Sequence, residues 1–222
     1  MLQLPSIMEA FDTLIGSTRK IPERPVLVRL GQLCSSLSGQ LQAWNEKLKE
    51  QVQGQLYWMT PSLAHSPADD PILGRIFPLA FHFPNLRIAQ LLLLYWSMLI
   101  LLYRTIQDIE KRLEWQIASA TETNHSFGLH SRDKSEYSSH SNPSNEVIAL
   151  LANNISQSLE YCYRTTNGTH GSQLASFPLW VAQSFYESQP DKSQELAWCY
   201  ELCNTTAPDS RFDLYSTKLA EA

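Results

Sequence analysis

The stretch between Arg87 and Arg104 is the most apolar part of the chain, and it limits the folds that the chain can adopt. Its sixteen residues read IAQLLLLYWSMLILLY. A membrane-spanning helix needs roughly 20 apolar residues, so a membrane-anchored protein is the weaker alternative. A helix that is apolar on all sides is typical of the centre of a globular protein. We therefore predict a buried central helix over about 85–118, with Asn85 as its N-cap.

Other segments show the periodicity of amphipathic helices. Over 26–52, apolar residues recur every three or four positions, and the opposite face, which includes Asn45, is polar. Helical patterns recur at 177–186, where Pro178 suits a first helical turn, and at 191–203. A further helix over 144–164 has an apolar stripe made of Ile148, Leu151, Ile155, Leu159 and Cys162.

The remaining segments are less regular. The stretch 54–84 is rich in proline, which fixes φ and removes a backbone donor, so it predicts an irregular connection that packs on the helices. The segments 5–17 and 209–222 carry weak helical patterns. No segment shows sustained strand alternation. The fold class that follows is all-α, an irregular multi-helix bundle around the central helix.

The composition suits one large domain or two small ones, and we predict a single helical domain over 1–222. Hydrophobic residues make up 43% and charged residues 18% of the chain, so long stretches should be buried. The formal net charge is -5, without a basic cluster, which argues against direct nucleic-acid binding. The amino terminus lacks the features of a signal peptide, and we expect a nuclear or cytoplasmic protein.

Residues 119–144 differ in kind from the rest of the chain. They are rich in serine and poor in aliphatic side chains, so they bury too little surface to offset the entropy of ordering. We predict a disordered linker inserted between helices. Three histidines in this stretch, His125, His130 and His140, are less consistent with a metal site than with a polar linker.

The familiar signatures of catalysis are missing from the sequence. It contains no glycine-rich phosphate loop, no nucleophile elbow and no zinc-protease helix motif. His82, between two phenylalanines, is more typical of a hydrogen-bonded packing residue than of a catalyst. Cys34, Cys162, Cys199 and Cys203 are interpreted as small buried hydrophobic residues. We therefore predict no catalytic, cofactor or metal site, and a protein that is not an enzyme.

Large aromatic residues are the remaining candidates for a binding site. They are equally what a helical core requires, although a set of indole and phenyl rings could also line an apolar ligand pocket. The alternative function is accordingly a helical small-molecule-binding protein or enzyme with an apolar pocket. The residues assigned to this core or pocket are Trp58, Phe81, Phe83, Tyr95, Trp96, Trp180 and Trp198.

Three motifs, in this order and at these distances, carry a resemblance to a known family. They are IFPLAFHFPNL at 76–86, NNISQSLEYC at 153–162 and FPLWVAQSFY at 177–186, the last followed by ELAWC. Over roughly 41–203 the chain resembles the carboxy-terminal regulatory region of fungal zinc-cluster transcription factors. In that family an amino-terminal six-cysteine cluster holds two zinc ions and reads DNA. The helical remainder is implicated in regulation, which is the function that the resemblance implies here.

This chain departs from the family at the DNA-reading cluster. Zinc ions that share thiolates require closely spaced cysteines, and the four cysteines of this chain are not so arranged. DNA binding is therefore not carried over to any residue. The expected partners are proteins of the transcription machinery, a DNA-binding module or a small effector. Two alternatives stay open: a part of a larger factor, or a free-standing relative that acts through its partners.

Overall fold

The computed structural model describes residues 24–64, 69, 74–124 and 143–205 of the chain. Within these residues the fold is mostly helical, as the sequence predicts. Two short 3-10 helices, Thr165–Asn167 and Pro190–Lys192, precede the last two α-helices. The remaining elements in chain order are α1 (Arg24–Gln51), β1 (Trp58–Pro61), β2 (Leu79–His82), α2 (Leu86–Asn124), α3 (Asn145–Cys162), α4 (Gly168–Glu187) and α5 (Ser193–Thr205).

The chain divides into two compact units. One comprises Met1–Ala43 with Leu101–Glu146, and the other comprises Trp44–Ile100 with Val147–Ala222. The second unit contains the two-stranded sheet, α3 from Val147 onwards, α4 and α5. The single helical domain over 1–222 stays a prediction.

The central helix α2 begins where its cap residue predicts. The Asn85 side-chain oxygen accepts a hydrogen bond from the Ile88 backbone N–H at 3.0 Å, which satisfies one of the amide groups left open at a helix start. Most of the apolar run is buried, and Ile100 and Leu102 are inaccessible to solvent. Gln90 is exposed, so the helix is not covered on every side.

The segment Leu86–Ala118 is long and apolar enough to span a membrane. Of its most apolar window, 61% is buried inside the protein. A core helix of a globular protein passes the same test of length and composition, because a fully buried helix is apolar on all sides. The membrane-anchored alternative is therefore not favoured by the packing of this helix.

Helix α1 buries its apolar stripe from Leu27 to Leu41, and its later residues depart from the pattern. The stripe residues Leu27, Cys34 and Leu41 are buried, as the threefold and fourfold spacing predicts. Asn45, which the pattern assigned to the exposed face, is 8% exposed instead. Its side-chain oxygen has no hydrogen-bond partner. The placement on the exposed face was wrong because burial here follows the neighbouring elements rather than residue polarity.

Part of the proline-rich connection forms a two-stranded antiparallel sheet, which the sequence analysis did not predict. Trp58 pairs with His82 and Pro61 with Leu79. The ladder continues one residue further, where the Ser62 N–H donates to the Pro78 carbonyl oxygen at 2.9 Å. Because backbone groups alternate along a strand, the N–H position of Pro61 faces away from β2. Proline is compatible with that edge position because no donor is needed there.

Helix α4 begins nine residues before the predicted position. It starts at Gly168, which has a φ of 54°, and it includes Pro178 in its interior rather than in its first turn. Gly171 lies in the first turn of α4 and is buried against the end of α3. A Cβ added at Gly171 would overlap the carbonyl oxygen of Cys162. The glycine therefore permits a close approach of α4 to the last residue of α3.

The predicted linker is partly structured at both ends. Helix α2 extends through Asn124, and at the other end the Pro143 carbonyl accepts a hydrogen bond from the Gln107 side chain at 2.9 Å. Residues 119–124 belong to α2, whereas the disordered linker itself stays a prediction. Residues 125–142 lie outside the described part of the chain. So do the helical patterns predicted at 5–17 and 209–222.

Candidate functional site

Five aromatic rings of the second unit pack against one another and form what we call the aromatic cluster. Its members are Tyr57, Phe81, Phe83, Trp96 and Tyr161. Tyr57 stacks on Phe81 with 4.6 Å between ring centroids and meets Trp96 edge-on at 6.0 Å. Phe83 meets Tyr161 edge-on at 5.2 Å. These are the separations of favourable aromatic pairs, so the rings fill space between β1, β2, α2 and α3.

The other buried aromatic residues assigned from the sequence lie in separate contacts. Trp198 is 2% exposed and meets Phe77 edge-on at 4.8 Å. Tyr95 is 9% exposed and contacts Trp44 at 6.0 Å. The structure therefore brings Phe81, Phe83 and Trp96 together, and it places Trp198 and Tyr95 against other partners.

Two of the assigned residues lie at the surface instead of in the core. Trp58 is 41% exposed and Trp180 is 57% exposed. Trp180 faces outward because α4 buries Val181, Ala182 and Phe185 on its other side. The assignment rested on the size of the indole ring, whereas the helix orientation decides which side chains are covered.

Trp180 forms an exposed aromatic pair with Phe177, one helical turn earlier. The ring centroids are 6.2 Å apart with 27° between the ring planes, and Phe177 is 42% exposed. The polar residues Gln173, Ser176 and Glu187 occur at helical spacing on the same side of α4. This mixture of two large aromatic rings with polar neighbours was the sequence signal that could have identified the surface.

The Glu160 carboxylate attaches the chain after β1 to helix α3. Glu160 accepts a hydrogen bond from the Ser62 hydroxyl at 2.8 Å and from the Leu63 backbone N–H at 3.1 Å. It also accepts from the Ala64 N–H at 3.4 Å. We call these contacts the Glu160 anchor. Hydrogen bonds to a charged group are stronger than neutral ones, so the anchor fixes this segment on α3.

His82, the last residue of β2, contacts residues at and just after the end of α3. Its Nε2 atom lies 2.6 Å from Nη2 of Arg164, and the Arg164 guanidinium also lies over the Tyr161 ring at 5.7 Å. Burial and the Arg164 charge lower the pKa of His82 from its usual value near 6.5, while Glu160 acts in the opposite direction. The position of His82 between two phenylalanines predicted a packing residue, and neither charged neighbour could be inferred from the sequence.

A buried polar network joins α3, α4 and α5. The Tyr186 hydroxyl donates to the Asn153 side-chain oxygen at 2.9 Å and lies 3.1 Å from the Ser156 hydroxyl. Ser156 in turn lies 3.4 Å from the Cys199 sulfur. Burial is the first cause that raises the pKa of Tyr186 well above 10. The phenol is neutral at physiological pH, and its satisfied contacts are those of a structural network.

The cysteine side chains that the structure describes are buried, in agreement with their interpretation as small hydrophobic residues. Burial raises the pKa of Cys34 to about 11 and the pKa of Cys162 to about 12. The thiolate is the reactive form of cysteine, so both thiols should be inert at neutral pH. The side chain of Cys203 lies outside the described part.

We expect both thiols to resist alkylation in the native protein. At pH 8, Cys34 should be less than about one part in a thousand thiolate, and its burial also excludes the reagent. Mass spectrometry after brief iodoacetamide treatment should find Cys34 and Cys162 unlabelled in native protein. The urea-unfolded protein serves as the control, with both sites labelled. Rapid native labelling would contradict the burial of these side chains.

An open pocket of about 400 Å³ lies in the first unit rather than at the aromatic cluster. Its lining is mostly polar and includes Gln107, Glu110, Lys111, Glu114 and Asn145. Its composition differs from the apolar pocket suggested by the sequence, because it lies beyond the most apolar part of α2. Among the described side chains, no group of three or more histidine, cysteine or acidic residues could hold a metal ion.

Comparisons with protein-family models, curated proteins and solved structures find no match to this chain.

Proposed function

We propose that this chain is the regulatory or interaction domain of a fungal transcription factor, which acts through protein partners. The three motifs of the resemblance support this proposal, since each falls on a described structural element of the second unit. The first spans β2, the second lies in α3 and the third lies in α4. We propose a nuclear or cytoplasmic location and no direct contact with nucleic acid.

The observation that carries the proposal is the exposed aromatic pair. Large aromatic side chains that remain half exposed on a helix are typical of protein-binding surfaces, because burying them on a partner contributes much of the binding energy. Phe177 and Trp180 also belong to the FPLW part of the third motif. In the same motif, Leu179 and Val181 face the core. The motif therefore contributes to the core and also places two aromatic rings at the surface.

The closed packing of the aromatic cluster favours this function over the apolar-pocket alternative. A pocket for a small molecule requires space between its lining residues. Tyr57, Phe81 and Trp96 contact one another through their rings instead, with centroids 4.6 to 6.1 Å apart. These side chains therefore support the fold, and the surface aromatic residues are the better candidates for recognition.

A reporter assay tests the proposed function. The full chain is fused to a heterologous DNA-binding domain in a fungal host, and transcription is measured from a promoter that carries the corresponding sites. We expect transcription to change relative to the DNA-binding domain alone. Trp180→Ala should remove most of that change, because truncating a central interface tryptophan often weakens binding by 2 kcal/mol or more, roughly thirtyfold.

Two controls make the outcome interpretable. Trp115→Ala removes a similarly exposed indole, 58% accessible, from the first unit, and it should leave the reporter signal unchanged. Circular dichroism and immunoblotting should show that both variants are folded and expressed at the level of the unmodified fusion. A fusion that is folded and nuclear but leaves transcription at the level of the DNA-binding domain alone would contradict a regulatory function.

A further inference from the structure

The exposed aromatic pair of α4 continues along the helix to an acidic end. Ser184 and Glu187 lie four and seven residues after Trp180, so both fall on the same side of the helix as the pair. Ser184 is half-buried and Glu187 is exposed. We call Phe177, Trp180, Ser184 and Glu187 the α4 face. It is about 15 Å long, at a rise of about 1.5 Å per residue.

Helix α5 adds a third aromatic ring to the acidic end of the α4 face. The Tyr200 hydroxyl donates to Oε1 of Glu187 at 2.9 Å, and Tyr200 is 47% exposed. This contact holds the Glu187 carboxylate beside the phenol ring. An ionised carboxylate accepts several hydrogen bonds through its two oxygens. Glu187 can therefore bind a donor from a partner while it holds Tyr200.

The chain segment that forms α4 and α5 is acidic. Residues 168–205 contain one lysine, no arginine and four carboxylates, namely Glu187, Asp191, Glu195 and Glu201. The formal charge of the segment is therefore -3, and its one lysine, Lys192, is paired with Glu195 at 2.9 Å. Complementary charges speed the encounter of two proteins, and like charges exclude wrong partners. This surface therefore favours a basic partner.

We propose that the α4 face binds a basic amphipathic helix of a partner protein, with aliphatic side chains on Phe177 and Trp180 and an arginine on Glu187. Trp180 and Glu187 are about 10 Å apart along the helix axis. A partner helix that lies along α4 presents its own side chains at the same spacing. The small side chain of Ser184, between the two, lets the partner backbone approach closely. The proposal rests on the interaction function proposed above and specifies the chemistry of the partner.

Two arguments select this occupant. Arginine suits the acidic end because its planar guanidinium binds a carboxylate through two donors and stacks on an aromatic ring such as that of Tyr200. A second copy of this chain is disfavoured, because a twofold contact would bring two surfaces of the same negative sign together.

Selection from a phage-displayed library of random 16-residue peptides, on the immobilised full chain, tests the chemistry of the partner. Dissociation constants of the recovered peptides are then measured by fluorescence anisotropy for the full chain and for Trp180→Ala. Peptides that lose about thirtyfold or more in affinity for Trp180→Ala should contain arginine and carry a net positive charge. Trp180-dependent peptides without a net positive charge, or recovery of no Trp180-dependent peptide, would overturn the proposal.

Charge reversal at Glu187 isolates the ion pair. Glu187→Arg should weaken binding of a recovered peptide by about five- to tenfold, since repulsion replaces attraction at an exposed position. Replacing the arginine of the peptide with glutamate should restore the affinity for this variant. Glu114→Arg makes the same change of charge in the first unit and should have no effect. Equal weakening by the two variants, or no restoration, would contradict a contact between Glu187 and a cation.

The reporter assay and the peptide selection can fail independently of each other. Unchanged transcription together with basic, Trp180-dependent peptides would refute the regulatory function and retain the binding surface. A Trp180-dependent reporter signal together with acidic or neutral peptides would refute the proposed partner chemistry and retain the function. Analytical ultracentrifugation of the full chain provides a last test. Self-association that Trp180→Ala abolishes would assign the α4 face to a second copy and overturn the proposal.

Discussion

Replacing Trp96 with alanine is expected to lower the free energy of unfolding by about 3–5 kcal/mol, the usual cost of truncating a buried aromatic side chain. Trp96 is 4% exposed and contacts Tyr57 and Phe81 in the aromatic cluster. Its loss would leave a cavity lined by rings that cannot collapse fully. Urea unfolding monitored by circular dichroism measures the change.

Trp180→Ala is the matched control for this experiment. It makes the same substitution in the same unit, but Trp180 is 57% exposed. We expect a change within about 0.5 kcal/mol, as for surface positions without structural contacts of their own, apart from the stacked Phe177 ring. Equal losses of stability in the two variants would contradict the placement of one tryptophan in the core and the other at the surface.

The second large effect is expected from Gly171→Ala. The added Cβ would overlap the Cys162 carbonyl oxygen and would lie 2.9 Å from the Cβ of Asn167. A backbone carbonyl cannot rotate away as a flexible side chain can, so the first turn of α4 must shift from the end of α3. We expect a loss of about 3 kcal/mol, at the upper end of the range for overpacking. Thermal and urea unfolding both report the change.

Gly39→Ala provides the opposite result for the same substitution. Gly39 lies inside α1, and a Cβ added there meets no atom within 4 Å. Alanine should increase stability by about 0.5–1 kcal/mol, because it loses less conformational entropy than glycine in a helix. If Gly171→Ala were as well tolerated as Gly39→Ala, the close approach of α3 and α4 would be wrong.

The helices could be predicted from the sequence because the residue pattern that defines a helix lies within one short segment. The stripe of α3 is an example: Ile148, Ile155, Leu159 and Cys162 are fully buried and Leu151 is 9% exposed. Each lies three or four residues from the next, so a single periodic pattern defines the buried face. The start of α2 could be predicted for the same reason, since an N-cap involves residues three positions apart.

The sheet could not be predicted because its two strands are far apart in the sequence. Trp58 and His82 are paired across 24 positions, and neither strand exceeds four residues. Strands this short contain too few alternations to be recognised. The Glu160 anchor joins residues 98 positions apart. A lone glutamate in a helix gives no sign of such a contact.

The candidate surface was only partly predictable. Residue type identified Trp96 and Trp180 equally, since both are large and apolar. Their different environments depend on which side of each helix the rest of the chain covers. For α4, the polar residues at helical spacing from Trp180 indicated an exposed side. The exposure of Trp58 depends on the position of β1 in the sheet, and no local sequence pattern indicates that position.

The position of Pro61 also affects how molecules of this protein behave when they meet. β1 is largely exposed, and an exposed strand edge is a template on which a second molecule can add a strand and begin to aggregate. Proline removes one of the donors that such addition requires, and Glu160 occupies the donor of Leu63 two positions further along. Among the described residues no strand pairs with the outer edge of β1. The two features make that edge a poor nucleus for fibrils, so exposed apolar residues such as Met59 carry less risk of aggregation in a crowded cell.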